Sequence, residues 1–153
     1  MPYTPFKLNL FLLRKIPIAF LAGIRVKELS EKKVSISVKH AWLNQNPFRS
    51  IYFGVLVMAG ELSTGIPLFL FLKNNNFNMS MLVVEHHSSF HKKATGRIYF
   101  SFDQFDKIER YVNQALTTGE ATRFDLTVKG INSKSEVIGE FTYTWSIKKR
   151  SGN

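Results

Sequence analysis

Glu61 is the one charged residue in the stretch Ile51–Leu72, whose remaining positions are mostly Val, Leu, Ile, Phe, Met, Ala and Gly. An ionised carboxylate in so apolar a setting is costly unless it is paired, so the acid is either neutralised or put to use. Burial raises a carboxyl pKa, which makes the group a better base toward water; a carboxylate can also attack an electrophilic carbon itself. Negative charge developing on a substrate oxygen would then need donors. The free N–H groups at a helix start, around Phe53 and Gly54, are candidates, aided by the helix dipole. Asn46, in the loop before the apolar stretch, is the candidate to orient a water. On an ideal helix Gly54, Val57, Met58, Thr64 and Gly65 share the face of Glu61. Tyr52, Met58, Ser63 and Thr64 are the candidate substrate contacts, and the glycines leave room for close approach. The competing account has Glu61 bonded to Asn46, a serine or a basic partner at an interface, with no chemistry.

Other reactive side chains offer less. His86, His87 and His91 form the one histidine cluster, but successive strand residues face opposite ways and cannot share a metal without a bend. They read as surface or interface histidines, with no metal assigned. Ser63 lacks the Gly-x-Ser-x-Gly elbow of a serine hydrolase. The chain has no cysteine, which excludes disulfides, thiolate catalysis and cysteine-bound metals.

The elements that would position these groups follow from periodicity. Phe6–Phe20 reads as a helix packed on the domain and ended by Pro17. Alternation predicts strands at Ile24–Val26 and Val34–Val38, joined as a hairpin across Ser30–Lys33. Asn46 with Pro47, or else Ser50, is the expected start of the long apolar helix, which Lys73–Asn76 ends. Met79–Val84, apolar on both faces, predicts a central strand, and Arg97–Phe102 alternates again. A helix follows, capped by Asp103 and closed by Gly119, with Phe105, Ile108, Val112 and Leu116 in one stripe. Two long strands, around Phe124–Val128 and Phe141–Ile147, close the chain across a Gly130–Lys134 loop. By length Ile51–Leu72 could cross a bilayer. Six half-buried strands nevertheless need an apolar cover, and no other element is apolar enough, so the stretch is expected as a core helix on whose other side Val55, Leu62, Ile66 and Phe69 pack against the sheet.

The 153 residues fit one domain, 1–153, with an N-terminal helical segment 1–20 and a basic tail 148–153. Apolar content of 44% with 21% charged residues is that of a globular chain, and no clean signal sequence precedes it, so a cytoplasmic protein is expected. The net charge of +10 is scattered and not gathered into a stripe, which argues against nucleic acid and leaves a solvated basic surface, an anionic membrane surface or a polyanionic small molecule such as coenzyme A.

The element order, with the segment Asn46–Gly65 and the closing run Phe141–Lys148, resembles the hot-dog fold: an antiparallel sheet wrapped around one long central helix. It is most similar to the acyl-CoA thioesterase superfamily, in the branch related to phenylacetyl-CoA thioesterases and within it a bacterial family of uncharacterised thioesterase-like proteins. The resemblance implies an α+β fold and thioester hydrolysis, with Asn46 and Glu61 in the matching positions and backbone donors at Phe53 and Gly54. It implies no cofactor beyond the coenzyme A carried by an acyl-CoA substrate, whose phosphates Arg49, Lys92 and Lys93 could meet, if those residues are not simply a solvated turn. It also implies a homodimer or homotetramer and no membrane span. The family's His-Gly-Gly segment is present only in its last residue, Gly54; Tyr52 and Phe53 stand where the histidine and first glycine would be. A non-catalytic hot-dog module that binds acyl chains or a protein partner is therefore the alternative function.

Overall fold

The computed structural model describes residues 3–150. Thr4 caps α1 (Pro5–Lys15) by accepting from the Lys7 N–H, and Pro17 both ends that helix and starts a five-residue second one, α2 (Pro17–Leu21). The strands β1 (Ile24–Leu29) and β2 (Val34–Lys39) form the expected hairpin, closed by the Ser30 N–H on the Lys33 carbonyl. A short 3-10 turn, Trp42–Asn44, leads to the central helix α3 (Phe53–Asn74). Then come β3 (Met79–Phe90), β4 (Arg97–Phe102), α4 (Phe105–Thr118), β5 (Thr122–Asn132) and β6 (Val137–Lys149). Lys148 and Lys149 thus end a strand, and the last three residues of the expected basic tail, 151–153, lie outside the described residues, as do 1–2 of the N-terminal segment.

All six strands form one antiparallel sheet in the order β1-β2-β4-β5-β6-β3. It curls around α3, giving the hot-dog arrangement. By length and composition α3 could cross a membrane, but 72% of its most apolar window is buried inside the domain. It is the core helix.

Several details depart from the sequence expectation. The start of α3 is Phe53, with Tyr52 before it and no side-chain cap; neither Asn46-Pro47 nor Ser50 begins the helix. Instead residues 44–52 fold into a tight loop bridged at Gln45 and Ile51. At α4 the cap position falls to Gln104 and not Asp103, while Gly119 closes the helix in the left-handed conformation (φ +71°), as expected. Gly130 and Ile131 belong to β5, so the final turn is tighter and runs through Asn132–Glu136. The strand β3 is an edge and not a centre. A run apolar on both faces reads as a buried strand, but here Met79, Met81 and Val83 face inward while Leu82, on the outer face, stays 63% exposed.

The two edges of the sheet differ. On β1 the Asn9 side-chain amide donates to the Val26 carbonyl at 3.0 Å and accepts from its N–H at 2.9 Å, so α1 occupies the edge. Nothing among the described residues covers β3.

The small residues of α3 set its depth. Ala59, Gly60 and Ser63 are buried, and a Cβ on Gly60 would lie 2.6 Å from the Tyr143 Oη and 3.3 Å from the Phe141 ring. The helix therefore lies on β6 along this row. Leu62, Ile66 and Phe69, expected against the sheet, line a cleft between Met81 of β3 and Phe11 and Ile16 of the N-terminal segment, and Val55 lines another with Ile18 and Leu21 of α2. A helix apolar all round does not reveal which side meets which neighbour.

Candidate active site

Glu61 sits half-buried on α3, at a cleft of about 170 Å3 whose other walls are Phe11, Ile16, Leu62, Ile66, Phe69 and Met81. Gly65 lies one turn further along, and a Cβ there would come within 3.1 Å of the Glu61 Oε1 and 3.0 Å of the Trp145 ring. The glycine thus makes room for the carboxyl group. Among the described residues, no hydrogen bond or ion pair reaches that carboxyl group. Burial without compensation pushes its pKa up to about 7. Of the described carboxylates it is the one raised in this way, which marks it as a functional candidate. Larger clefts exist, one of about 480 Å3 at the C-terminal end of α3, but that one holds no acid.

Beneath Glu61 the helix is tied to the sheet by groups that sequence reasoning did not single out. The Tyr143 hydroxyl donates to the Val57 carbonyl at 2.6 Å, and the Trp145 indole N–H donates to the Thr64 Oγ1 at 3.1 Å. Burial first, then the nearby Glu61 charge, hold the Tyr143 phenol above its ordinary pKa, so it stays a neutral donor. His86 faces the same side, its ring stacked on Tyr143 at 6.0 Å between centroids. A bulge at Val83–Glu85 shifts the alternation of β3 and turns His86 inward. The signal for Tyr143 and Trp145 was present as alternation in the last strand, without a cue to their helix partners.

The other expected site residues are dispersed. Ser63 and Thr64, expected to meet substrate, are fully buried; Ser63 donates to the Gly60 carbonyl at 2.7 Å and Thr64 to the Glu61 carbonyl at 2.9 Å. Their hydroxyls hold the helix together and do not face the cleft. Asn46 organises its own loop: its Oδ1 accepts from the N–H groups of Phe48 (3.0 Å) and Ser50 (3.2 Å), and its Nδ2 donates to the Ser50 Oγ (3.0 Å). It shares a second cleft with Tyr52, Phe53 and Lys93 and is not brought to Glu61 within the chain. Tyr52 and Met58 line a third, apolar cleft.

Phe53 and Gly54 do stand at the helix start, as expected, and their N–H groups have no partner among the described residues, whereas the Val55 N–H is bonded to the Tyr52 carbonyl. The Tyr52 ring lies against Gly54, its Cε1 2.9 Å from where a Cβ would be. Lys92 is paired with Glu136 at 2.6 Å on the surface; Lys93 lines the cleft beside Phe53, and Arg49 is exposed on the loop with a left-handed backbone (φ +58°).

A six-stranded antiparallel sheet curled around one apolar helix is the hot-dog fold. Residues 7–147 match the family described as a domain of unknown function, DUF4442, and the chain belongs to that family. Solved structures share the fold. A protein of unknown function from Chlorobaculum tepidum superposes with a TM-score of 0.82 at 16% identity, over 95% of this chain and 94% of that one. A protein of Pseudomonas aeruginosa described as a probable thioesterase gives 0.77 at 21% identity, over 96% and 97%. A thioesterase from Haemophilus influenzae gives 0.71 at 12% identity, over 96% and 92%. No curated protein matches the chain in sequence.

Proposed function

We propose that the protein hydrolyses acyl thioesters of coenzyme A, with Glu61 as the general base on water or as the attacking group. The observation that carries this reading is the unpaired Glu61 carboxylate, held near pKa 7 at the mouth of an apolar cleft. At neutral pH such a group is substantially ionised and still a competent base. In the base route it takes a proton from water as the water oxygen attacks the carbonyl carbon. The tetrahedral intermediate then expels the thiolate, which takes up that proton, and the carboxylic acid departs.

The donors for the intermediate come from a second copy in this reading. Phe53 and Glu61 are about 12 Å apart along one helix, too far to act on the same carbonyl. The open edge of β3, twelve residues long with Leu82, Val84 and Phe90 exposed, is suited to pair with its own copy. A two-fold axis through that pairing sets the two α3 helices antiparallel on one face of a continuous sheet. The helix start of one copy then approaches Glu61 of the other. Lys93 and Arg49, beside that helix start, are the cations for the coenzyme A phosphates. Sedimentation at micromolar concentration is expected to show a homodimer or a tetramer built from it, and a monomer would remove this source of donors.

The second reading, a module that binds acyl chains or a protein partner without turnover, is favoured by the Tyr52 ring packed over the helix start where the superfamily motif would place histidine and glycine. Release of free thiol from a panel of acyl-CoAs separates the two: turnover lost in Glu61→Gln supports hydrolysis, while binding without release from any member supports the module.

A further inference from the structure

We propose that the Glu61 cleft admits a short, uncharged acyl group of about six carbons, and that Phe11 of α1 sets this limit; the substrate class rests on the thioesterase reading. The cleft measures about 170 Å3. A cavity of roughly that size, lined by Leu, Ile and Phe, holds one benzene ring and little more. Its floor is the row Leu62, Ile66 and Phe69, leading away from the carboxylate along α3. At the end of that row the Phe11 ring stacks on Phe69, with 5.7 Å between centroids and 26° between planes, so the pair stands at the boundary with the larger cleft, which shares the Phe69 and Met81 walls. The wall is fixed: Leu8 and Leu12 of α1 are buried, and Asn9 bonds both backbone groups of Val26. Of the lining residues only Glu61 is titratable, and none is a cation. A second carboxylate on the acyl group would sit unpaired beside Glu61, so dicarboxylic acyl groups are excluded as well.

The test is the chain-length profile of thiol release from butanoyl-, hexanoyl-, octanoyl-, dodecanoyl- and palmitoyl-CoA, with succinyl-CoA as the charged member. Wild type is expected to peak at hexanoyl or its neighbours and to lose at least about tenfold in kcat/KM by dodecanoyl. Phe11→Ala, with Phe11→Leu as the gentler variant should the first fail to fold, is expected to raise the dodecanoyl-to-hexanoyl ratio by about tenfold. An optimum at palmitoyl, a profile that neither variant changes, or succinyl-CoA turned over as well as butanoyl-CoA would overturn the proposal. The same series is measured as binding to Glu61→Gln. A short-chain preference in binding with no release by wild type keeps the cleft assignment and removes the hydrolase reading. Release with no preference for length removes the cleft assignment alone.

Discussion

Glu61→Gln is expected to lower kcat for acyl-CoA hydrolysis by at least about a hundredfold, with little change in KM. General-base catalysis by a positioned side chain contributes roughly a hundredfold to ten-thousandfold, and the amide keeps the size of the acid while removing its basicity. Since the carboxyl group has no hydrogen-bond partner among the described residues, the replacement breaks no existing contact and leaves the cleft in shape. The loss therefore belongs in the chemical step, as expected for an interaction made in the transition state and not in substrate binding.

The same substitution is expected to stabilise the protein, and only above a defined pH. Glu61 has an ordinary pKa of 4.5 when unfolded and about 7 when folded. Because the folded value is the higher one, the folded state holds the proton longer. Stability is fully present below pH 4.5 and is lost as pH rises through 7. Ionising the acid in the native protein then costs up to about 3 kcal/mol, reduced by water at the cleft mouth. Glu61→Gln removes that cost. Urea unfolding at pH 8 is expected to show the variant more stable by about 2 kcal/mol, with the two proteins converging near pH 4. Equal stability at both pH values would mean that the carboxylate is paired or solvated. An acid kept at an energetic loss to the fold is what a catalytic role leads one to find.

Most of this architecture could be read from the residues. Alternation located five of the six strands in kind and order, and the apolar stretch with its single acid located the core helix. The place of β3 could not be read, because an apolar run looks the same in the middle of a sheet as at an edge that another surface will cover. Its bulge hid the inward turn of His86 as well: a uniform alternation sets His86 with Leu82 and Val84 on the outer face. On α3 the 3.6-residue period grouped Glu61 with Gly65 correctly, yet it could not say that Leu62, Ile66 and Phe69 meet the N-terminal segment as well as Met81 of β3, while Gly60 lies on β6. That division depends on the depth to which glycine and serine let the helix sink, which is a tertiary fact. Asn46 carried a signal of polarity without direction; its local hydrogen bonds with Phe48 and Ser50 show a loop organiser, a role that asparagine fills as readily as water-holding.

The pH dependence of kcat/KM for hexanoyl-CoA, followed as free thiol from pH 3.5 to pH 9, tests the central assignment most directly. A base with the pKa of Glu61 predicts a rate that climbs tenfold per pH unit, bends at about 7 and then holds level, the bend vanishing in Glu61→Gln. A bend near 4.5, or a profile that the substitution leaves intact, would place the chemistry elsewhere.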